Sequence, residues 1–311
     1  MTVNDDRFFF SVIIPAFNRP DDLYRALKSL MSQKFKDFEV IILDDNSKVD
    51  LKKIVDEFSD SFQIKYKKFD ENKGAAFARN AGVQMSEGRF VAFLDSDDEF
   101  CPEKLEVFKN EIVASNLSQQ TLFFSSCYVN RGNGKLIVRP NIVYKPGADI
   151  MEYIFVHWGL VSTITIVLSR TLALSCPFNT SLRRHQEYDL CFTLQSSGVR
   201  FHMIDQPLSV WNDLPDESRI TRNTGYDAAI VWFNLVKNSL SDDARNAYLA
   251  RVLAPMVRPK TAGLTMLFSS FFKVKSFRVR DFPIFCIKVL MPNTYKSLSS
   301  LYVAMKGKVA D

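Results

Sequence analysis

Apolar residues in the first hundred positions follow two alternating rhythms. Apolar runs at 8–14, 38–43 and 90–94, with a short one at 62–66, are the length of strands. Between them the spacing widens to a helical period. Leu23, Ala26, Leu27, Leu30 and Met31 follow the helix-opening pair Pro20-Asp21 and predict one helix. Leu51, Ile54, Val55 and Phe58 predict a second, and residues 75–85 a third. Runs with no polar alternation must be covered on both faces, and strand–helix alternation favours parallel pairing. The predicted class is α/β, a mostly parallel sheet flanked by helices.

Beyond Pro102 the pattern changes. A helix carrying Leu105, Phe108 and Ile112 leads to strand-like runs at 122–129 and 136–144, and Arg131-Gly132-Asn133-Gly134 between them predicts a hairpin. Further strands at 162–168 and 200–204 flank a helix over 188–195 that Gly198 closes. From about Asp216 onward the pattern is helical and less regular, so the chain divides into an α/β domain at 1–215 and a helical region at 216–311. No internal repeat interrupts this.

Composition narrows the classes. The 47% hydrophobic and 24% charged residues are globular averages and exclude wholesale disorder. Five scattered cysteines without a CxxC pair argue against a disulfide framework or zinc ribbon and fit a reducing cytosol. Three histidines are too few for a multi-histidine metal site. Arg7 precedes an apolar run, but Pro15 and Asn18-Arg19-Pro20 interrupt it, so it reads as a strand and not a secretory signal. No window reaches the ~18 apolar residues that span a bilayer. The net charge of +5 is unevenly placed: residues 251–311 hold 11 Lys/Arg against 2 Asp/Glu, and residues 1–250 hold 29 against 33. An acidic body with a basic tail implies a partner for the tail.

Parallel sheets bind ligands at the carboxyl ends of their strands. Three predicted strand ends carry Pro15-Ala16-Phe17-Asn18, Asp44-Asp45-Asn46-Ser47 and Asp95-Ser96-Asp97-Asp98. Two acidic clusters in one crevice repel unless a cation or hydrogen-bond donors offset them, which predicts a cation site. If extended, Asp95 and Asp97 face the same side. Mg²⁺ or Mn²⁺ is commonly held by one or two carboxylates plus substrate phosphates. The competing reading is a turn in which Asp98 only caps the helix near Pro102.

The ordered series Ser11-Val12-Ile13-Ile14-Pro15-Ala16-Phe17-Asn18-Arg19, Leu43-Asp44-Asp45-Asn46-Ser47, Asn72-Lys73-Gly74 through Arg79-Asn80-Ala81-Gly82, and Glu87-Gly88-Arg89 through Asp95-Ser96-Asp97-Asp98 resembles the family-2 glycosyltransferases, which have the GT-A fold. The resemblance covers roughly residues 8–215. It implies a nucleotide-sugar-binding half at 1–100 and an acceptor half at 101–215. It also implies that Asp45 binds the nucleotide base, Asp95 and Ser96 the ribose or diphosphate region, and Asp97 a divalent metal, Mn²⁺ or Mg²⁺. Pro15, Phe17 and Asn18 would lie near the nucleotide. Arg79 and Asn80 match the family's ARN segment, near the donor or in a packing role. Arg184-His185-Gln186-Glu187-Tyr188-Asp189-Leu190 matches the family's segment bearing the catalytic acid, with Glu187 where Asp is usual. Thr193 replaces the family's later arginine.

On this reading Glu187 takes the acceptor hydroxyl's proton, His185 and Gln186 are candidate acceptor or phosphate contacts, and Asp189 is structural. A single base opposite the leaving group predicts inversion, since retention needs another carboxylate or a front-face route. His202 reads as a packed or edge residue, and Trp158, Trp211 and Trp232 mostly as core. The resemblance implies a nucleotide-sugar donor, commonly UDP-linked, and a glycan or polyprenyl-linked oligosaccharide acceptor. The apolar stretches 264–272 and 282–291, punctuated by Lys273, Lys275, Arg278, Arg280 and Lys288, suit a segment lying in the interface of an anionic membrane. That predicts a peripheral enzyme at the inner face of the cytoplasmic membrane; a solvated appendage or dimer contact is the alternative. No nucleic-acid module is present. A nicotinamide dehydrogenase would need GxGxxG after the first strand, and a phosphatase of the Asp-nucleophile type would need neither Asp45 nor Glu187. A non-catalytic relative that binds glycan or membrane is the remaining rival.

Overall fold

The computed structural model describes residues 7–115, 119–214, 225–291 and 294–295. Strand β1 (Phe8–Ala16) passes through a short loop into α1 (Pro20–Met31). Two further units follow, β2 (Phe38–Asp44) with α2 (Lys52–Asp56), and β3 (Gln63–Lys68) with α3 (Ala75–Met85), before β4 (Gly88–Phe93). Then come β5 (Glu99–Phe100), α4 (Lys104–Ala114), the strands β6 (Thr121–Asn130) and β7 (Leu136–Arg139), α5 (Ile150–Phe155), β8 (Ile166–Ser169), α6 (Arg170–Ser175), α7 (Gln186–Ser196) and β9 (Arg200–Asn212). Helices α8 (Tyr226–Val236), α9 (Asp242–Tyr248), α10 (Lys260–Phe271) and α11 (Phe282–Leu290) follow, with a π-helical turn at Leu249–Leu253.

The strands form one sheet in the order β3-β2-β1-β4-β8-β6-β9-β5, with β7 paired to β6. The first four are mutually parallel, which brings the carboxyl ends of β1 and β2 and the loop after β4 to one edge. β8 is antiparallel to both β4 and β6, while β9 runs parallel to β6. Period-two alternation sorts β1 between two cores. Ile13 joins Ile41, Leu43, Val91 and Phe93 under α3, α6 and α7, whereas Val12 and Ile14 join Val40 and Ile42 under α1 and α4. Helix α3 lies so close to β1 that a Cβ at Gly82 would collide with the Ile13 side chain.

The hairpin at 131–134 and the helix before Gly198 are as the pattern predicts, with Gly198 in the left-handed region at φ 75°. Other boundaries moved. The 136–144 run stops at Arg139 because Pro140 has no N–H to continue the ladder. The 162–168 run opens as a 3₁₀ turn, Thr163–Thr165. The strand expected at 200–204 continues to Asn212, since Asp205-Gln206-Pro207 is absorbed in a register shift opposite Ser125 and Ser126.

The boundary expected at 215–216 lies outside the described residues. Past it, α8 and α9 share the main core: Trp232 and Tyr248 are fully buried against Phe155 of α5. Helices α10 and α11 instead close a separate small core of Leu267, Phe271, Phe285 and Val289 with Ala250 and Ala254. Among the described residues no helix is long and apolar enough to cross a membrane.

Candidate active site

The loops after β1 and β2 are stitched together. Asn18, at φ 53°, donates its backbone N–H to Ser47 Oγ (2.9 Å) and accepts from Lys48 N through Oδ1 (2.7 Å). Asn46 is also left-handed, at φ 65°, a conformation asparagine tolerates better than most residues. Pro15 is buried at the end of β1, and Phe17 stands 42% exposed above it, leaving an aromatic face open.

Each acidic residue of the two clusters has a donor. Asp44 accepts from Ser47 N (2.7 Å) and Tyr66 Oη (2.6 Å). Asp45 accepts from Lys73 N and Gly74 N, both at 2.7 Å, and so clamps the loop ahead of α3 onto the end of β2. Asp95 pairs with Arg79 (2.5 Å), Asp97 with Arg19 (2.7 Å), and Asp98 accepts from Asn212 N (2.8 Å). Donors within the chain therefore offset the mutual repulsion of the two clusters.

The segment 95–97 is also not extended. Asp98 N bonds Asp95 O (3.0 Å), the chain turns, and the carboxylates of Asp95 and Asp97 address different arginines. Asp98 does not cap the next helix. It anchors the turn to the end of β9, where Asn212 Nδ2 also donates to Asp97 O (2.9 Å). Ser96 is buried inside this turn.

The second half reaches this crevice through Arg79. Arg79 is 6% exposed, and its guanidinium donates from Nη2 to Asp95 and from Nη1 to Oε1 of Gln186 (3.0 Å), the first residue of α7. Gln186 Nε2 returns to Leu182 O (2.8 Å), so both ends of this amide are committed to fixing the helix entrance. Asn80 makes the reciprocal pair with the Phe178 backbone, N–H to Oδ1 at 2.9 Å and Nδ2 to C=O at 2.8 Å. Thus Arg79 faces the crevice and Asn80 fastens the loop behind it.

Glu187 is one residue further along α7. Burial raises its carboxyl above the usual range; a backbone N–H, Arg79 and Arg184 work in the opposite direction, while Asp95 pushes it further up. Its electrostatic neighbours are the same groups that hold the end of β4. His185 sits at φ 65° inside an aromatic box, stacked on Tyr188 (4.8 Å) with Trp232 and Tyr248 edge-on. Burial, with Arg184 nearby, lowers its imidazole to about 3, so it is neutral at working pH. Asp189 accepts from Trp232 Nε1 (3.1 Å) and ties α7 to α8. His202 pairs with Glu111 (3.3 Å), away from the crevice.

Three contributors were missed from sequence. Arg19 belongs to a quoted motif, but nothing in its spacing assigns it to Asp97. Arg25 on α1 donates to Asp97 O (3.0 Å) while pairing with Asp22 and Glu99; its position one turn from Asp21-Asp22 was the available signal. Asn212 was invisible because the strand bearing it was read as ending at 204. Among the described residues no group of three or more His, Cys, Asp or Glu side chains could hold a metal alone. Asp97, about one-fifth exposed, is the carboxylate that could share a cation with substrate phosphates, and the cation would take the place of the Arg19 guanidinium.

Residues 11–156 match the family model for glycosyl transferase family 2. The chain is 30% identical over 265 residues to the amylovoran biosynthesis glycosyltransferase AmsB of Erwinia amylovora, spanning 83% of this chain and 86% of that protein. It is also 30% identical over 189 residues to the UDP-Glc:alpha-D-GlcNAc-diphosphoundecaprenol beta-1,3-glucosyltransferase WfgD of Escherichia coli, 61% of this chain and 70% of that one. Among solved structures, S. aureus TarS 1-349 in complex with UDP-GlcNAc has a TM-score of 0.62 at 18% identity, covering 95% of this chain and 92% of that chain.

Proposed function

The chain belongs to glycosyltransferase family 2, with the GT-A fold, and from that premise we propose that it is an inverting transferase moving a sugar from a nucleotide-sugar, a UDP-sugar, to a hydroxyl of a lipid-linked glycan, with Glu187 as the base. The observation that carries this reading is the Arg79 bridge. One buried guanidinium links Asp95, at the end of the nucleotide-side sheet, to Gln186 at the entrance of the helix that bears Glu187. Donor side and acceptor side are thereby held in one crevice, which converts a two-body encounter into a local event.

In this mechanism Phe17 and the 45–47 loop receive the base, with Asn18 and Pro15 shaping the wall, and Asp95 meets the ribose and diphosphate, while Ser96, buried in the turn, supports it. Glu187 accepts the acceptor hydroxyl's proton as its oxygen attacks the anomeric carbon from the side opposite the leaving diphosphate, a role worth about 10²–10⁴-fold. Burial raises its carboxyl, which makes it a stronger base than an exposed carboxylate. His185 and Gln186 fall to positioning roles, because one is boxed by aromatic rings and the other is fully engaged. Asp97 would hold Mn²⁺ or Mg²⁺, which supplies charge neutralisation for the departing diphosphate. The UDP donor and the diphosphoundecaprenol-type acceptor come from the name of the WfgD relative.

The acceptor's lipid suggests a membrane address, and α10–α11 supply a matching surface. Phe268 (63% exposed), Phe272, Val279 and Ile284 are all exposed, with Phe268, Phe272 and Phe282 forming one aromatic cluster. Lys273, Lys275, Arg278 and Arg280 lie in the segment that joins these two helices, with Asp281 the acid at its end. Exposed apolar side chains with a basic segment beside them in the chain suit the interface of an anionic bilayer, so we assign α10–α11 and the segment between them to peripheral binding on the cytoplasmic side of the membrane.

Titration with a panel of nucleotide-sugars, with and without Mn²⁺, tests the central reading. UDP-sugar binding that strengthens with metal and weakens in Asp97→Ala is expected; undiminished transfer by Asp97→Ala would overturn the metal's placement. Absence of any nucleotide-sugar binding would overturn the donor.

A further inference from the structure

Three cations from distant parts of the chain gather around Trp158 and the π-helical turn, and one of them, Arg251, lies near Tyr188 of the helix that bears Glu187. Arg139 closes β7, Arg251 sits in the π-helical turn, and Lys288 is in the last turn of α11. Arg251 lies over the Trp158 indole, its Cζ 3.4 Å from the ring centroid, and donates to Phe155 O. Arg139 Nη2 donates to Trp158 O (3.2 Å), and Lys288 Nζ to Arg251 O (2.7 Å). Every hydrogen bond these three side chains make among the described residues is thus to a backbone carbonyl, and none has a carboxylate within salt-bridge distance. Arg251 Nε is buried without any acceptor.

This arrangement is costly as it stands. Burial comes first in depressing all three groups, Arg251 to about 9 and Lys288 to about 8, and neighbouring positive charge adds to it: Arg131 acts on Arg139, Arg139 on Arg251, and Arg251 on Lys288. Like charges gathered without a counter-ion are relieved by an anion able to meet several donors at once. The cluster also adjoins the proposed chemistry. Tyr188, directly after Glu187, has Arg251 among its charged neighbours, and its ring packs edge-on at 5.2 Å against Phe155, whose carbonyl Arg251 holds. On the donor side the arginines are already committed, Arg79 to Asp95 and Arg19 to Asp97.

We propose that Arg139, Arg251 and Lys288 bind the diphosphate of the acceptor, separately from the diphosphate of the donor. This rests on the reading of the chain as a transferase using a lipid-linked acceptor, and it assigns that acceptor's charged group to residues outside the family's motifs. A diphosphate spreads more charge than a single carboxylate over two phosphorus centres and can accept from three separated donors at once.

The test uses the full chain and calorimetric titration with inorganic pyrophosphate, a short polyprenyl diphosphate and UDP. Arg251 supports the Trp158 loop, so Arg251→Gln risks unfolding; Lys288→Gln and Arg139→Gln carry the test, with melting curves to verify folding. Pyrophosphate and polyprenyl diphosphate should bind the wild type and weaken about tenfold or more in each variant, while UDP binding is unchanged. In turnover, the acceptor KM should rise and the donor KM should not. Unaltered pyrophosphate affinity in both folded variants overturns the assignment. So does competition between pyrophosphate and UDP for one site, or UDP binding by a wild type that ignores pyrophosphate. Loss of UDP-sugar binding by the wild type would instead sink the transferase reading, so the two failures are distinguishable.

Discussion

Arg79→Met is the most informative single change, because two independent consequences follow from one guanidinium. The wild-type side chain makes a charge-assisted bond to Asp95 and a second bond to the Gln186 amide. The guanidinium is charged, so both bonds belong to the class that contributes about 1.5–3 kcal/mol where water is excluded. The Asp95 side chain is 28% exposed, so water recovers part of the loss, and ~2–3 kcal/mol is the reasonable total. If that appears in the transition state, kcat/KM falls roughly 30- to 150-fold. The second consequence is directional. Arg79 is among the groups that hold the Glu187 carboxyl down, and Asp95 is among those that push it up. Removing Arg79 therefore raises Glu187 further, less of the base is ionised at a given pH, and the acid limb of kcat/KM moves to higher pH. Arg79→Lys keeps the positive charge but loses the fork, so its limb should stay near the wild-type position while the donor KM rises. The assay is nucleoside-diphosphate release from about pH 5 to 9. An Arg79→Met enzyme that is slow but has an unmoved acid limb would refute the coupling between the two halves of the site.

Glu187→Gln should lower kcat by about 10²–10⁴-fold without lowering the melting temperature. The sign follows from linkage: a carboxyl whose folded pKa lies above its unfolded value binds protons more readily when folded, so ionising it near neutrality costs stability that the amide does not incur. A large fall in melting temperature at pH 7 would show that Glu187 supports the fold instead. For the membrane face, replacing Lys273, Lys275, Arg278 and Arg280 with Ser should remove about 1 kcal/mol each from binding to anionic vesicles, read by co-sedimentation. Phe268→Ser with Phe272→Ser should weaken binding independently of salt. Equal binding of wild type and charge variant would refute the assignment.

Much of the molecule was written locally. The runs at 8–14, 38–43 and 90–94 became β1, β2 and β4 because strands buried on both faces read as near-continuous apolar runs, broken here by Ser11 and Glu39, which bond each other (2.7 Å). The strand-end clusters were legible for the same reason, since a parallel sheet must deliver its carboxyl ends to one edge. Tertiary structure decided which acid meets which base. Asp95 and Asp97 are two residues apart yet pair with arginines 16 and 78 positions away, because a turn separates their directions and the sheet order sets their neighbours. Strand β9 shows the same limit: Pro207 ends a strand by propensity, but opposite the irregularity in β6 its missing N–H is tolerated, and that carries Asn212 to the Asp97 turn. The triad of Arg139, Arg251 and Lys288 has no local signature at all. Its members lie 37 or more positions apart, and they meet only because α11 folds back on the π-helical turn beside Trp158.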